Sequence, residues 1–240
     1  MSLTPGGAEC QHDRMKRRHM IRTVALLLLV LLPAPLRAEE ALLSYEEVVT
    51  GSADPAKPLP MVVAIHGLGG GPGTFKTLFT SWTDVQVRVI VPRGPMAHGQ
   101  GWSWFATTIR NGEVVRISEE DIRTSAARIA ALIEALTAMK PTVGKPILTG
   151  FSQGGVLSFV VAVTRPELIA GAIPMGGWLP DSFLTDAPAP PGAPALRALH
   201  GKADPLVPFA RTKAVLERLE KAGWDATYTG YPGAKHTLGP

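Results

Sequence analysis

The sequence predicts a single α/β domain built on a mostly parallel, doubly wound sheet flanked by helices, with no large lid. Three observations predict it. Several short runs are apolar at nearly every position, as in strands buried on both faces; MVVAIHG (Met61–Gly67) and VRVIVP (Val87–Pro92) are two of them. Such runs alternate with helical patterns, and parallel strands joined by helices require right-handed crossovers. The chain has 240 residues, 45% of them apolar, enough for one large domain with a substantial core.

Residues 39–240 are assigned to this domain. SYEEVVTG (Ser44–Gly51) alternates enough for an edge strand, and the Pro-rich turn DPAKPLP leads into the buried run at Met61. A helix is expected over Ser118–Lys140: Ser118 caps it, acids fill its first turn and Pro141 stops it. Its apolar positions Ile122, Ala126, Ile129, Ile133 and Leu136 share one face. Strand KPILTG, the nearly all-apolar helix SQGGVLSFVVAVTRP and strand LIAGAIPMGG follow. ALRALHG is a strand, Pro208–Ala222 an amphipathic helix and DATYTGYPG the last strand. No internal repeat is evident.

Residues 1–38 read as an N-terminal extension plus a secretory signal peptide. A basic segment (Met15–Arg22) precedes the apolar run Val24–Leu32, and a Pro-containing stretch ends in the small residue Ala38. Cleavage is expected after Ala38, with export to the periplasm or the medium; Met1 and Met15 both stay open as the initiator. A permanent anchor needs about 18 or more apolar residues, and this run is roughly half as long. The formal charge of +4 is concentrated here: six Lys/Arg stand against two acids, leaving 18 basic and 18 acidic residues in the remainder. There is accordingly no electrostatic case for a nucleic-acid partner. The single cysteine, Cys10, lies upstream of the cut, so the mature chain offers no disulfide, thiol nucleophile or Cys-based metal site.

In sheets of this kind the chemistry gathers beyond the carboxyl ends of the strands. There GFSQG (Gly150–Gly154) joins a strand directly to an apolar helix, a tight turn that projects the Ser152 hydroxyl. A helix-capping serine would fit the same position. A serine hydroxyl is a weak nucleophile, so it needs a base, and the base needs an orienting acid. HGKADPLVP sets Asp204 just past one late strand, and YPGAKH sets His236 just past the last. Separately, Asp204 could simply start a turn at Pro205, and a loop histidine is commonly solvated.

An oxyanion needs preorganised N–H donors. One is expected from the backbone of Gln153, which follows the nucleophile. The other is expected from HGLGGG (His66–Gly71), with Leu68 as donor. A phosphate-binding reading of that glycine run fails on spacing, because Pro72 or Thr74 replaces the third glycine and no Walker-type lysine follows. His66 is read as bracing the loop.

With HGLGG, GFSQGG, HGKADPLVP and PGAKH in order, and PRGP followed by WSWF (Trp102–Phe105), the chain resembles the phospholipase/carboxylesterase family of α/β-hydrolases over about residues 44–238. That family includes the acyl-protein thioesterases, and its order of Ser, Asp and His is the one seen here. The resemblance implies hydrolysis of carboxylic esters, with thioesters and lysophospholipids as alternative substrates, and with no cofactor and no metal. The partner is then a small-molecule ester. It also implies that Trp104 and Phe105 lie near the acyl pocket, although aromatic residues equally fill cores.

Two departures stand out. Only four residues follow His236 where relatives continue into a further helix, so an exposed apolar surface and a weakly braced histidine loop are expected. The leader is untypical of cytosolic thioesterases, which argues against protein depalmitoylation. The short, Pro-rich connection between Gly176 and Ala195 leaves no room for a helical lid and predicts an open pocket for soluble, short or medium acyl chains. Two other readings stay open. One is a polyester depolymerase or feruloyl-type esterase; the other is a non-catalytic binding protein on a hydrolase scaffold.

Overall fold

The computed structural model describes residues 42–184 and 186–238. The leader and its expected cut lie outside these residues. Strand β1 (Tyr45–Val49) is followed by β2 (Met61–Ile65), the one-turn helix α1 (Pro72–Phe75) and β3 (Arg88–Pro92). Two small hairpins come next: β4 (Met96–His98) with β5 (Gly101–Ser103), and β6 (Thr107–Arg110) with β7 (Glu113–Ile117). Helix α2 (Glu119–Met139), β8 (Ile147–Phe151), α3 (Gln153–Thr164), β9 (Gly171–Met175), β10 (Ala195–Gly201), α4 (Phe209–Lys221) and β11 (Ala226–Tyr231) complete the order.

The main sheet has seven strands in the order β1-β3-β2-β8-β9-β10-β11. Only the edge strand β1 runs antiparallel, pairing Glu47 with Ile90; every other pairing is parallel. The buried Arg88 anchors that edge by pairing with Glu47, which also binds Lys140 at 2.7 Å at the end of α2.

Alternation within the strands sorts the core onto two faces. Val63, Ile65, Ile90, Leu148, Ala172 and Leu196 pack with α2, α3 and α4 in the larger cluster. On the opposite face Ala64, Val89 and Val91 meet Phe75 and Phe79 from the α1 segment. Beyond β2 that second face is less covered: Ile147, Ile173, Met175 and Leu199 are only half-buried. Helix α3 is buried from Gln153 to Ala162, which explains why its sequence lacks a polar face. Ser118 caps α2 by accepting the Asp121 N–H, as its sequence predicts.

The two hairpins were not anticipated. For β6–β7 the signal was present: Asn111 and Gly112 form a two-residue turn with φ of 52° and 78°, the conformation that Asn-Gly favours between paired strands. Val114, on β7, donates its N–H to Leu206 O at 3.1 Å, so the hairpin is pinned to the loop after β10.

Candidate active site

Ser152 holds φ +55° and ψ −112°, a strained conformation for a residue with a side chain. The strain follows from a turn that leads β8 straight into α3. Two glycines make that turn possible by close approach. A Cβ on Gly150 would sit 2.5 Å from the Gly154 backbone, and one on Gly154 would sit 2.1 Å from Ile65 O. Ser152 makes no side-chain capping bond to the helix. Its Oγ lies instead 2.9 Å from His236 Nε2, so the helix-cap reading fails.

The other ring nitrogen, His236 Nδ1, lies 2.6 Å from Asp204 Oδ2. Asp204 is buried at the end of the β10 loop, and it does start a turn: Oδ1 accepts the N–H groups of Leu206 and Val207, both at 2.9 Å. One oxygen therefore builds the loop while the other faces the imidazole. Burial works to raise the Asp204 pKa, but hydrogen bonds from His200, His236 and Val207 outweigh it and hold the carboxyl well below its usual range. Asp204 is thus a carboxylate, and His236 Nδ1 carries the proton it donates. Nε2 is left free to accept from the serine hydroxyl.

The expectation of a weakly braced histidine loop is corrected. Ala203 N donates to Ala234 O at 3.0 Å and Lys202 N to Tyr231 O at 2.9 Å, tying this loop to the Asp204 loop. The His236 ring also packs on Phe151, with centroids 4.8 Å apart. Neither support depends on a helix beyond His236.

The loop after β2 lies against the nucleophile turn, so close that a Cβ on Gly67 would stand 3.3 Å from Ser152 Cβ. Leu68, on this loop, and Gln153, which follows Ser152 as the first residue of α3, both line the cavity beside Ser152. His66 braces the loop: Nδ1–H donates to Gly67 O at 2.8 Å, and Nε2 accepts the Gly94 N–H at 3.1 Å. Burial pushes the His66 pKa down, opposed by the Gly67 carbonyl, in keeping with this neutral tautomer.

A narrow apolar cavity of about 30 Å³ opens beside Ser152, walled by Leu68, Phe105, Ile109, Val114 and Trp178. Of the two aromatic candidates, Phe105 borders it. Trp104 does not: it is fully buried in the core, with its indole N–H donating to His66 O at 3.0 Å. The sequence reading also missed the Gln153 side chain. Its Oε1 accepts from Trp104 N and Ser103 Oγ, while its Nε2 donates to Phe105 O and Thr107 Oγ1. No local pattern marks this role, since the partners lie far away in sequence. Among the described residues, no group of three or more His, Cys, Asp or Glu side chains is placed to hold a metal ion.

A serine on a strained strand-to-helix turn, faced by a histidine and a carboxylate from the last two parallel strands, defines the α/β-hydrolase class. Within that class the chain belongs to the phospholipase/carboxylesterase family, which matches residues 44–240. It is 27% identical over 197 residues to acyl-protein thioesterase 1 of Gibberella zeae, covering 75% of this chain and 84% of that one. It is 24% identical over 197 residues to carboxylesterase SOBER1 of Arabidopsis thaliana, covering 74% and 83%. Among solved structures it resembles esterase PE8 (TM-score 0.70, 22% identity, 82% and 93% coverage). It also resembles the Bacillus cereus carboxylesterase (TM-score 0.64, 19% identity, 81% and 88% coverage). These two likenesses establish the fold.

Proposed function

We propose that this protein is an exported serine carboxylesterase that hydrolyses short- and medium-chain carboxylic esters through an acyl-enzyme on Ser152. The observation that carries this reading is the continuous chain Ser152 Oγ–His236 Nε2 (2.9 Å) and His236 Nδ1–Asp204 Oδ2 (2.6 Å). In the first step Ser152 Oγ attacks the ester carbonyl carbon while His236 Nε2 takes its proton. The Leu68 and Gln153 N–H groups stabilise the oxyanion, and Asp204 stabilises the imidazolium. Collapse expels the alcohol, which leaves with the proton from His236. Water then attacks the acyl-enzyme by the same route, releasing the acid and restoring Ser152.

The narrow apolar cavity beside Ser152 supports a preference for short and medium acyl groups over long ones. Thioesters share the same acyl chemistry, in line with the thioesterases among the relatives. Export rests on the leader alone, and Edman sequencing of protein recovered outside the cytoplasm tests it: a mature chain beginning at Glu39 is expected.

The activity is tested with p-nitrophenyl acetate, butyrate and octanoate, using wild type and Ser152→Ala. Saturable hydrolysis that disappears in the variant, together with fluorophosphonate labelling at Ser152, is the expected result. A folded wild type that neither hydrolyses nor labels would overturn this reading in favour of a binding protein.

A further inference from the structure

His200 is the penultimate residue of β10, and its side chain is fully buried. Its Nε2 stands 2.9 Å from Val207 O and 3.2 Å from Asp204 Oδ2. A carbonyl and a carboxylate only accept hydrogen bonds, so Nε2 must carry a proton. On the far side of the ring, Nδ1 lies 2.8 Å from Thr212 Oγ1, and that hydroxyl lies 2.6 Å from Gly177 O. Phe209 packs edge-on against the same ring at 5.8 Å. The imidazole is therefore fixed by its own strand, by α4 and by the turn after β9.

We propose that His200 is a positioning residue for the reaction: its Nε2–H holds Asp204 Oδ2 in the orientation that His236 requires. Oδ2 then accepts the His236 Nδ1–H and has His200 Nε2 3.2 Å away on its other side, whose proton it shares with Val207 O at 2.9 Å, while Oδ1 receives two backbone N–H groups. With Oδ1 held by two backbone N–H groups and Oδ2 set between two imidazoles, rotation of the carboxylate is opposed from both ends. His236 stays aligned toward Ser152 because the acceptor of its Nδ1–H is itself held from behind. Orientation of this kind matters because small displacements of a catalytic base cost large factors in rate. The His200 hydrogen bond also helps to keep Asp204 ionised against its burial.

The rate consequence rests on the esterase reading, and the test separates the two. His200→Leu removes the donor at similar volume, whereas His200→Gln returns an N–H near the Nε2 position. Rates are measured on p-nitrophenyl acetate per active site titrated with fluorophosphonate. His200→Leu is expected to lower kcat by about tenfold to a hundredfold with little change in KM, because the acid is mispositioned rather than the substrate. His200→Gln is expected to recover most of that loss, a rescue that a purely packing role does not produce. Should His200→Leu fail to fold, Thr212→Val frees Nδ1 while keeping His200, and a fall of about threefold to tenfold in kcat is expected. Unchanged kcat in these variants, or Gln no better than Leu, overturns the proposal. Nitrogen-15 NMR of histidine-labelled protein reads the same geometry without any activity. An exchange-protected Nε2–H signal that vanishes in His200→Gln is expected, and a ring protonated only at Nδ1 overturns the proposal even if no ester is cleaved.

Discussion

Gln153 and Trp104 stand 49 residues apart in sequence, yet the Gln153 carboxamide oxygen accepts the Trp104 backbone N–H at 2.9 Å. The same carboxamide donates to Phe105 O at 2.8 Å, which fixes its orientation, since Oε1 must face the donor and Nε2 the acceptor. The residue that follows the nucleophile thus has two separate tasks. Its backbone N–H serves the oxyanion in the proposed reaction, and its side chain clamps the Ser103–Thr107 segment that borders the cavity.

Gln153→Ala keeps the backbone donor and removes the clamp. Buried partners left unsatisfied cost about 1–3 kcal/mol each, so a loss of about 2–4 kcal/mol in unfolding free energy is expected. Urea denaturation measures it. Activity per titrated site should fall less steeply than stability, since the oxyanion donor remains; an unchanged denaturation midpoint would remove the clamp from the account.

At position 152 the backbone conformation, with φ +55°, disfavours any side chain. Ser152→Gly should therefore be more stable than Ser152→Ala by about 1 kcal/mol, although both lack the nucleophile. Thermal unfolding of the two inactive variants compares them directly. Equal midpoints would mean that the turn is not strained in solution.

Val114 on β7 and Ile109 on β6 line the cavity beside Ser152 that is proposed to take the acyl chain. Removing two methyl groups in Val114→Ala lengthens the space available to the acyl chain. The octanoate-to-acetate ratio of kcat/KM should rise about tenfold, the scale of discrimination that one or two methylene groups provide. A ratio that does not move would place the acyl chain elsewhere.

The neutral His66 brace carries a pH dependence whose sign follows from its depressed pKa. The folded state takes up this proton less readily than the unfolded chain does. The contribution to stability is complete above about pH 6.5, the ordinary histidine value, and is lost as pH falls toward the folded-state pKa. His66→Asn, which does not titrate, should be less stable than wild type at about pH 7.5 but should lose less on acidification to about pH 5. Thermal midpoints of both proteins at both pH values check it.

Much of the site was legible before the structure because its signals are local. The glycines around Ser152, the β-branched strand before it and the apolar helix after it lie within a few residues of one another. Asp204 and His236 were placed by the rule that loops following parallel strands gather at one edge of the sheet. The Asn111-Gly112 turn was equally local and was missed, because the hairpin it forms belongs to no strand of the main sheet. Trp104 and Phe105 were both drawn toward the pocket by the family resemblance; both are buried in the core, and only Phe105 also borders the cavity.

By itself the sequence determined the alternation of strands and helices, the doubly wound sheet and the strand ends after which Ser152, Asp204 and His236 lie, since each depends on periodicity and on residues adjacent in the chain. The tertiary structure alone decided the width of the cavity beside Ser152, the Gln153 clamp and the contact of His200 with Asp204. Those depend on how side chains from distant segments fill one volume and satisfy one another's hydrogen bonds, and complementarity of that kind has no period to read.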